Sequence, residues 1–233
     1  MNQALHDEIK KCGCELLERC LPRMVLTANS EASISQLISL AGQKRLHICP
    51  TGTGSSFPAN YQPPPDAVFL LTGSMNQIVE LRLLDGVAVV QAGLLAWDLR
   101  EKLTETDLEF PESLANYRGT LGGAMLGPDP SGLRHAEMRR RLLGVEMVDP
   151  RGQIVKFGGG SVKNVAGYDL WAFLVGTGGR FGVVTQLILN LGKMPLLPMP
   201  SESKPGAALS EQTTRWIYAN LEKSLDPDGT FAR

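Results

Sequence analysis

The sequence predicts an α+β fold, and three observations carry that prediction. Short runs of β-branched and aliphatic residues, such as 87–93 and 183–189, alternate with longer stretches whose apolar residues recur at helical spacing. Two turn signals, Asp85-Gly86 and Pro150-Arg151-Gly152, each join two such runs as hairpins. The 233 residues, with 25 glycines and 15 prolines, make a loop-rich globular chain whose core suffices for one domain or two small lobes.

Residues 4–21 have helical periodicity through Ile9, Leu16, Leu17 and Leu21, and carry Cys12, Cys14 and Cys20. With Cys49 far away and no CxxC step, these thiols decorate or pack a helix and no metal site is predicted. From Thr27 the chain reads strand-poor and then helical through Ile34, Leu37, Ile38 and Ala41, with Ser30 or Ser33 as its cap. Residues 45–49 alternate as a strand, in which His47 is structural.

Pro50, Thr51, Gly52, Thr53, Gly54, Ser55 and Ser56 close that strand. Small residues here let several backbone N–H groups converge into a nest for anionic oxygen, with no carboxylate nearby. No Gly-Lys-Ser/Thr follows and no helix follows, so the loop is neither a Walker A motif nor a dinucleotide fingerprint. A plain turn is the alternative.

Strands are expected at 67–71, 77–84 and 87–93, then a helix over 94–106 with Leu95, Leu99 and Leu103 on one face, then Phe110-Pro111. A second glycine loop follows: Gly119, Thr120, Leu121, Gly122, Gly123, Ala124. Residues 133–143 hold Arg134, Arg139, Arg140 and Arg141, a solvated helical or turn surface or else a site for an anionic partner. A hairpin of 145–149 with 153–157 delivers the chain to Gly158, Gly159 and Gly160. Lys163, Asn164, Gly167, Tyr168 and Asp169 come next, then an apolar run at 170–175, then Gly176, Gly178, Gly179 and Gly182 before the strand at 183–189. Glycine on both sides of short apolar elements lets a bulky ligand approach the main chain, or serves turn chemistry alone.

Residues 192–209, rich in proline and serine, read as a linker. From Ser210 a helical pattern runs through Trp216, Ile217, Leu221 and Leu225 to Asp226-Pro227-Asp228-Gly229. A net charge of -1 argues against a nucleic-acid or polybasic membrane surface. No apolar run reaches membrane-spanning length, and the N-terminus is too polar for a signal peptide, so a cytoplasmic location is expected.

The motif KNVAGYDL, followed by VGTGGRFGVVTQLILNL, resembles the FAD-binding domain of the vanillyl-alcohol-oxidase (PCMH-type) flavoprotein family. Within it the chain is most similar to the glycolate-oxidase FAD-binding subunits, over residues 28–191 and 214–231. The resemblance implies a two-lobed PCMH-type FAD-binding domain at 27–191, with lobes 27–110 and 111–191 holding FAD between them. An N-terminal helix (1–26), the linker (192–209) and a C-terminal helix (210–233) flank it. It implies that Thr51, Gly52, Thr53, Gly54, Ser55 and Ser56 wrap the FAD diphosphate. Gly119, Thr120, Gly122 and Gly123 would meet it from the other side, with Gly182, Val183 and Val184 in the third motif. No histidine stands in the first loop, so the flavin is expected to be noncovalent.

Departures from the family pattern are Thr51 for the usual arginine or glycine, Arg140 where an acid is usual, and Thr177, Gly178, Arg180 and Phe181 in the last motif. The cap domain that catalytic members insert after the residue matching Leu191 is absent, and the family's two ends are joined by the linker. The resemblance therefore implies an FAD-binding subunit of a glycolate-oxidase-like 2-hydroxy-acid dehydrogenase, an FAD-dependent oxidoreductase. Its partners would be other subunits of the complex, a cap-bearing flavoprotein or an iron–sulfur subunit. The alternatives are a non-catalytic assembly subunit with a degenerate flavin site, and a phosphate- or nucleotide-binding module without redox chemistry. No catalytic residue is assigned; Lys163, Tyr168 and His135 are the candidates.

Overall fold

The computed structural model describes residues 3–17, 24–55, 67–159, 170–194 and 211–231, and within them the strands form two sheets. The chain opens with α1 (Gln3–Lys11), not with the long helix expected over 4–21. Gly13, at φ 73°, turns the chain where its missing Cβ would meet the Ser33 hydroxyl, and Cys14 opens strand β1 (Cys14–Leu16). Cys12 and Cys14 thus sit on a turn and a strand; Cys20 and Leu21 lie outside the described residues.

Strand β2 (Met24–Ala28), whose last two residues fall in the stretch read as strand-poor from Thr27, pairs antiparallel with β1. Helix α2 (Glu31–Lys44) follows, capped by Ser30, whose side chain accepts from the Ser33 N–H at 3.2 Å. Its buried stripe is the expected Ile34, Leu37, Ile38 and Ala41, joined by Ser33, and the helix stops at Arg45 in the left-handed conformation. Strands β3 (His47–Thr51) and β4 (Ala67–Leu71) complete the first sheet in the order β1-β2-β4-β3, with β2 and β3 both parallel to β4.

The second sheet is wholly antiparallel. Asp85-Gly86 does join a hairpin, β5 (Ile78–Arg82) with β6 (Val87–Gln91), and Gly86 takes the positive φ that the turn needs. Helix α3 (Ala96–Leu103), a 3-10 turn (Glu112–Leu114), α4 (Leu121–Leu126) and α5 (Leu133–Arg141) precede β7 (Leu142–Val148) and β8 (Ile154–Gly158). The β7–β8 turn is held by the Asp149 carboxylate, which accepts from the N–H groups of Arg151 and Gln153 at 2.9 and 2.8 Å. After α6 (Leu170–Leu174), β9 (Val183–Asn190) enters the middle of the order β5-β6-β9-β7-β8. Its neighbours on both sides explain why six of its eight residues, five apolar and Thr185, are buried. The two sheets divide the chain between Leu71 and Ile78, whereas the lobes were expected to part at Phe110, because β5 and β6 pair with the sheet that β9 centres.

Two hydrophobic cores match the two sheets, and Val148 and Val183, at the ends of β7 and β9, reach into the first. The Thr185 hydroxyl donates to Glu31 Oε1 of α2 at 2.5 Å, and Ser35 Oγ donates to the Gly152 carbonyl. The last helix, α7 (Glu211–Leu225), is followed by a return to the first sheet. Phe231 bridges Ile48 of β3, and the Asp226 carboxylate accepts from the N–H groups of Thr230 and Phe231 at 2.8 and 3.0 Å. The side chains of Trp216 and Ile217, and the linker from 195 to 209, lie outside the described residues.

Candidate functional site

A cleft of about 360 Å³ opens where the end of β3, the start of α4 and the loop before β9 converge. The first wall is the loop after β3. Thr51 is pinned there: its carbonyl accepts from the Thr72 N–H at 2.9 Å and its hydroxyl donates to the Cys49 carbonyl at 3.1 Å. Beyond it Gly54 takes φ 77°, and the Thr53 hydroxyl donates to Ser55 Oγ at 3.2 Å. No described group accepts from the main-chain N–H of Gly52, Thr53, Gly54 or Ser55. Thr53 and Ser55 are exposed. A run of donors lining a cleft, with no acceptor among the described residues, suits anionic oxygen.

The second wall is the start of α4. Thr120 caps it, its side chain accepting from the Gly123 N–H at 3.1 Å, while the Gly122 N–H donates to the Ala92 carbonyl at 2.8 Å. These two N–H groups are therefore spent within the protein. The glycines are there for closeness: a Cβ on Gly122 would stand 3.0 Å from Ala92, and one on Gly52 would run into the Thr120 side chain. The glycine-rich loops touch each other across the cleft floor.

The third wall is the turn before β9, with Gly178 and Gly179 both at positive φ. The Gly178 N–H donates to the Leu126 carbonyl at 2.9 Å, and Gly179 passes so close to Pro50 that a Cβ would lie 3.3 Å from its Cγ. Val183 and Val184 at the head of β9, with Ala92, Leu126 and Pro128, give the cleft an apolar lining. Arg180 is the one charged side chain among the described lining residues, and its Nη1 lies 3.3 Å from Glu222 Oε1 of α7.

Of the expected contacts, Thr51, Gly52, Thr53, Gly54, Ser55, Thr120, Gly122, Gly123, Val183 and Val184 all line the cleft. Gly119 and Gly182 do not. Gly119 sits against the Tyr117 ring and gives its carbonyl to the Ala96 N–H, and Gly182, at φ 139°, lets β9 start beside Met147 and Val148. Ser56, Lys163, Asn164, Gly167, Tyr168 and Asp169 lie outside the described residues. His135 is not in the lining; its Nε2 is 2.8 Å from the Gly127 carbonyl.

Sequence reasoning missed Cys49, Thr72, Ala92, Tyr117 and the 126–128 turn. Tyr117, two residues before the second glycine loop, is stacked under the Arg134 guanidinium at 4.7 Å. Burial pushes the Cys49 thiol up from its ordinary range against a hydrogen bond with Thr51, so it stays protonated at neutral pH.

The arginine run is a solvated surface only in part: Arg139 and Arg140 are exposed, Arg134 is half-buried and Arg141 is buried. Arg134 donates to the carbonyls of Ala124 and Pro128, and Arg139 to that of Val175. Arg141, its side chain only 8% exposed, pairs with Glu137 at 2.9 Å and Glu109 at 3.3 Å. These cations fasten α5 to the turns beneath the cleft.

This geometry suits a dinucleotide cofactor. Free donors on one loop meet a diphosphate, close-packed glycines keep the two loops near enough to enclose it, and apolar walls receive flat rings. No carboxylate stands among the described lining residues to repel it.

Comparison with known proteins agrees. A family model described as FAD binding domain matches residues 22–158. The glycolate oxidase subunit GlcD of Bacillus subtilis is 29% identical over 82% of this chain and 40% of its own length. The mitochondrial D-lactate dehydrogenase [cytochrome] of Arabidopsis thaliana is 29% identical over 75% of this chain and 31% of its own. Among solved structures, Physcomitrella patens BBE-like 1 superposes at a TM-score of 0.59 with 20% identity, over 80% of this chain and 44% of that one, a likeness of fold. The chain thus spans less than half the length of these relatives.

Proposed function

This chain belongs to the PCMH-type family of FAD binding domains, and from that premise we propose that it is the FAD-binding subunit of a glycolate-oxidase-like 2-hydroxy-acid dehydrogenase. The observation that carries the reading is the run of N–H donors at Gly52 to Ser55 that meet no described acceptor, set against Thr120 in a cleft with apolar walls. FAD, when bound, supplies a two-electron acceptor for oxidation of the hydroxy acid.

The chain's own residues bind and shield. Main-chain N–H groups of the first loop, with the Thr53 and Ser55 hydroxyls, hold diphosphate oxygens. Gly52 and Gly122 keep the walls close, and Val183, Val184 and Leu126 exclude water from the ring system. Donor oxidation needs a wall that places the substrate carbon, and 192–209 is too short and too rich in proline to form one.

The test is turnover of glycolate and D-lactate with an artificial acceptor. The isolated chain should be slow, and addition of a cap-bearing flavoprotein or iron–sulfur partner recovered with it should restore the rate. Brisk turnover by the chain alone contradicts the subunit reading. The second reading, an assembly subunit with a decayed flavin site, draws on Gly178, which has open space where the family carries glutamate. It requires a purified protein that takes up no FAD.

A further inference from the structure

Arg180 stands where the family pattern has threonine, and it is the one charge among the described residues of the cleft wall. Its backbone is fixed on both flanks. Gly178 is bonded to the Leu126 carbonyl, Gly179 abuts Pro50, and the Phe181 side chain that follows is buried. Pro50 immediately precedes the loop whose N–H groups meet no described acceptor, so the Arg180 turn and that loop are neighbours at the cleft.

The Arg180 side chain is 44% exposed and has one described side-chain partner, Glu222 Oε1 at 3.3 Å from Nη1. A guanidinium carries five N–H donors in a planar fork, so an anion can be taken on a second edge while the first stays paired. Glu222 is only 12% exposed and belongs to α7, so one edge of the guanidinium is held by the C-terminal helix.

We propose that Arg180 supplies the positive charge that binds the FAD diphosphate, bridging it to Glu222 of the C-terminal helix. This rests on the FAD reading above and adds a residue to it. The diphosphate carries two negative charges, and the remaining described donors of the cleft are neutral N–H and hydroxyl groups. A cation at the mouth adds a charge-assisted contact and makes binding sensitive to salt.

The experiment measures the dissociation constants of FAD and of ADP by calorimetry from low to moderate salt, for wild type, Arg180→Gln, Arg180→Lys and Glu222→Gln. Arg180→Gln should weaken both ligands on the order of tenfold, a figure reduced for the half-exposed site, and flatten the salt dependence. Arg180→Lys should fall between the two and keep the salt slope. Glu222→Gln, which keeps an oxygen acceptor but removes the competing charge, should bind FAD at least as tightly as wild type. Unchanged affinity in Arg180→Gln, or a loss with an unchanged salt slope, overturns the proposal while leaving FAD binding intact. A wild-type protein that takes up no FAD overturns both.

Discussion

Gly52 and Thr120, one from each glycine-rich loop, are in contact: a Cβ on Gly52 would stand 3.2 Å from Thr120 Cβ and would overlap its hydroxyl. The separation of the two cleft walls is set at this point. Gly52→Ala should push the loops apart and weaken FAD binding roughly tenfold, from a strain of the size that overpacking brings. Thr120→Ala removes the α4 cap, at about 1 kcal/mol, but also the overlap. The Gly52→Ala, Thr120→Ala double variant should therefore bind FAD better than Gly52→Ala alone, as a double-mutant cycle by calorimetry would read. Independent, additive losses would mean that the contact does not set the site.

Ser55 is exposed and its neighbours' N–H groups point to no described acceptor. Ser55→Asp places a negative charge beside the expected diphosphate without touching the core. FAD affinity should drop by about two orders of magnitude, with a thermal midpoint within a degree or so of wild type in the absence of ligand. Undiminished FAD binding would move the diphosphate away from this loop.

Arg141, nearly buried, pairs with Glu137 of its own helix and holds α5 to Glu109 and the Asn190 carbonyl. Arg141→Ala leaves Glu137 without its counter-charge, with only the Ser113 N–H still donating to it, and should cost about 3 kcal/mol, lowering the midpoint by roughly 6–12 °C in a thermal melt. A change within about 1 °C would show that the pair contributes nothing.

Glu146 of β7 faces Glu31 of α2 and Lys156 of β8. Burial first, then the Glu31 carboxyl, holds its carboxyl above the ordinary glutamate range, with Lys156 opposing. A carboxyl raised in the folded state adds stability that is complete below its unfolded pKa and lost as pH rises through the folded value. Glu146→Gln should therefore raise the midpoint by about 2 °C near neutral pH, with the two proteins converging in mild acid. A lower midpoint at neutral pH would mean that the exposed Lys156 pair outweighs the carboxyl repulsion.

Much of this was legible from sequence because local chemistry decided it. Asp85-Gly86 and Asp149 to Gly152 encode their hairpins, Ser30 its cap, and the three glycine loops the walls of the cleft. What was not legible depends on distant partners. A stretch periodic enough for one long helix is broken at Gly13 because Cys14 to Leu16 find Leu26 to Ala28 as strand partners. Arg134 and Arg141 read as surface with their neighbours, since nothing local announces the carbonyls of Ala124 and Pro128 or the half-buried Glu137 and Glu109 that receive them. Gly122 was expected to meet the diphosphate; its N–H is spent on the Ala92 carbonyl, and a Cβ there would stand 3.0 Å from Ala92. Gly122→Val is accordingly a lesion of the fold rather than a probe of the site.

The most direct measurement is the visible spectrum of the purified chain, before and after denaturation. A yellow protein, or a colourless one that FAD restores, should show flavin absorption at close to one FAD per chain and release all of it into the supernatant on denaturation. A protein that cannot be reconstituted with FAD, or one whose flavin stays with the denatured chain, would contradict noncovalent FAD binding in this cleft.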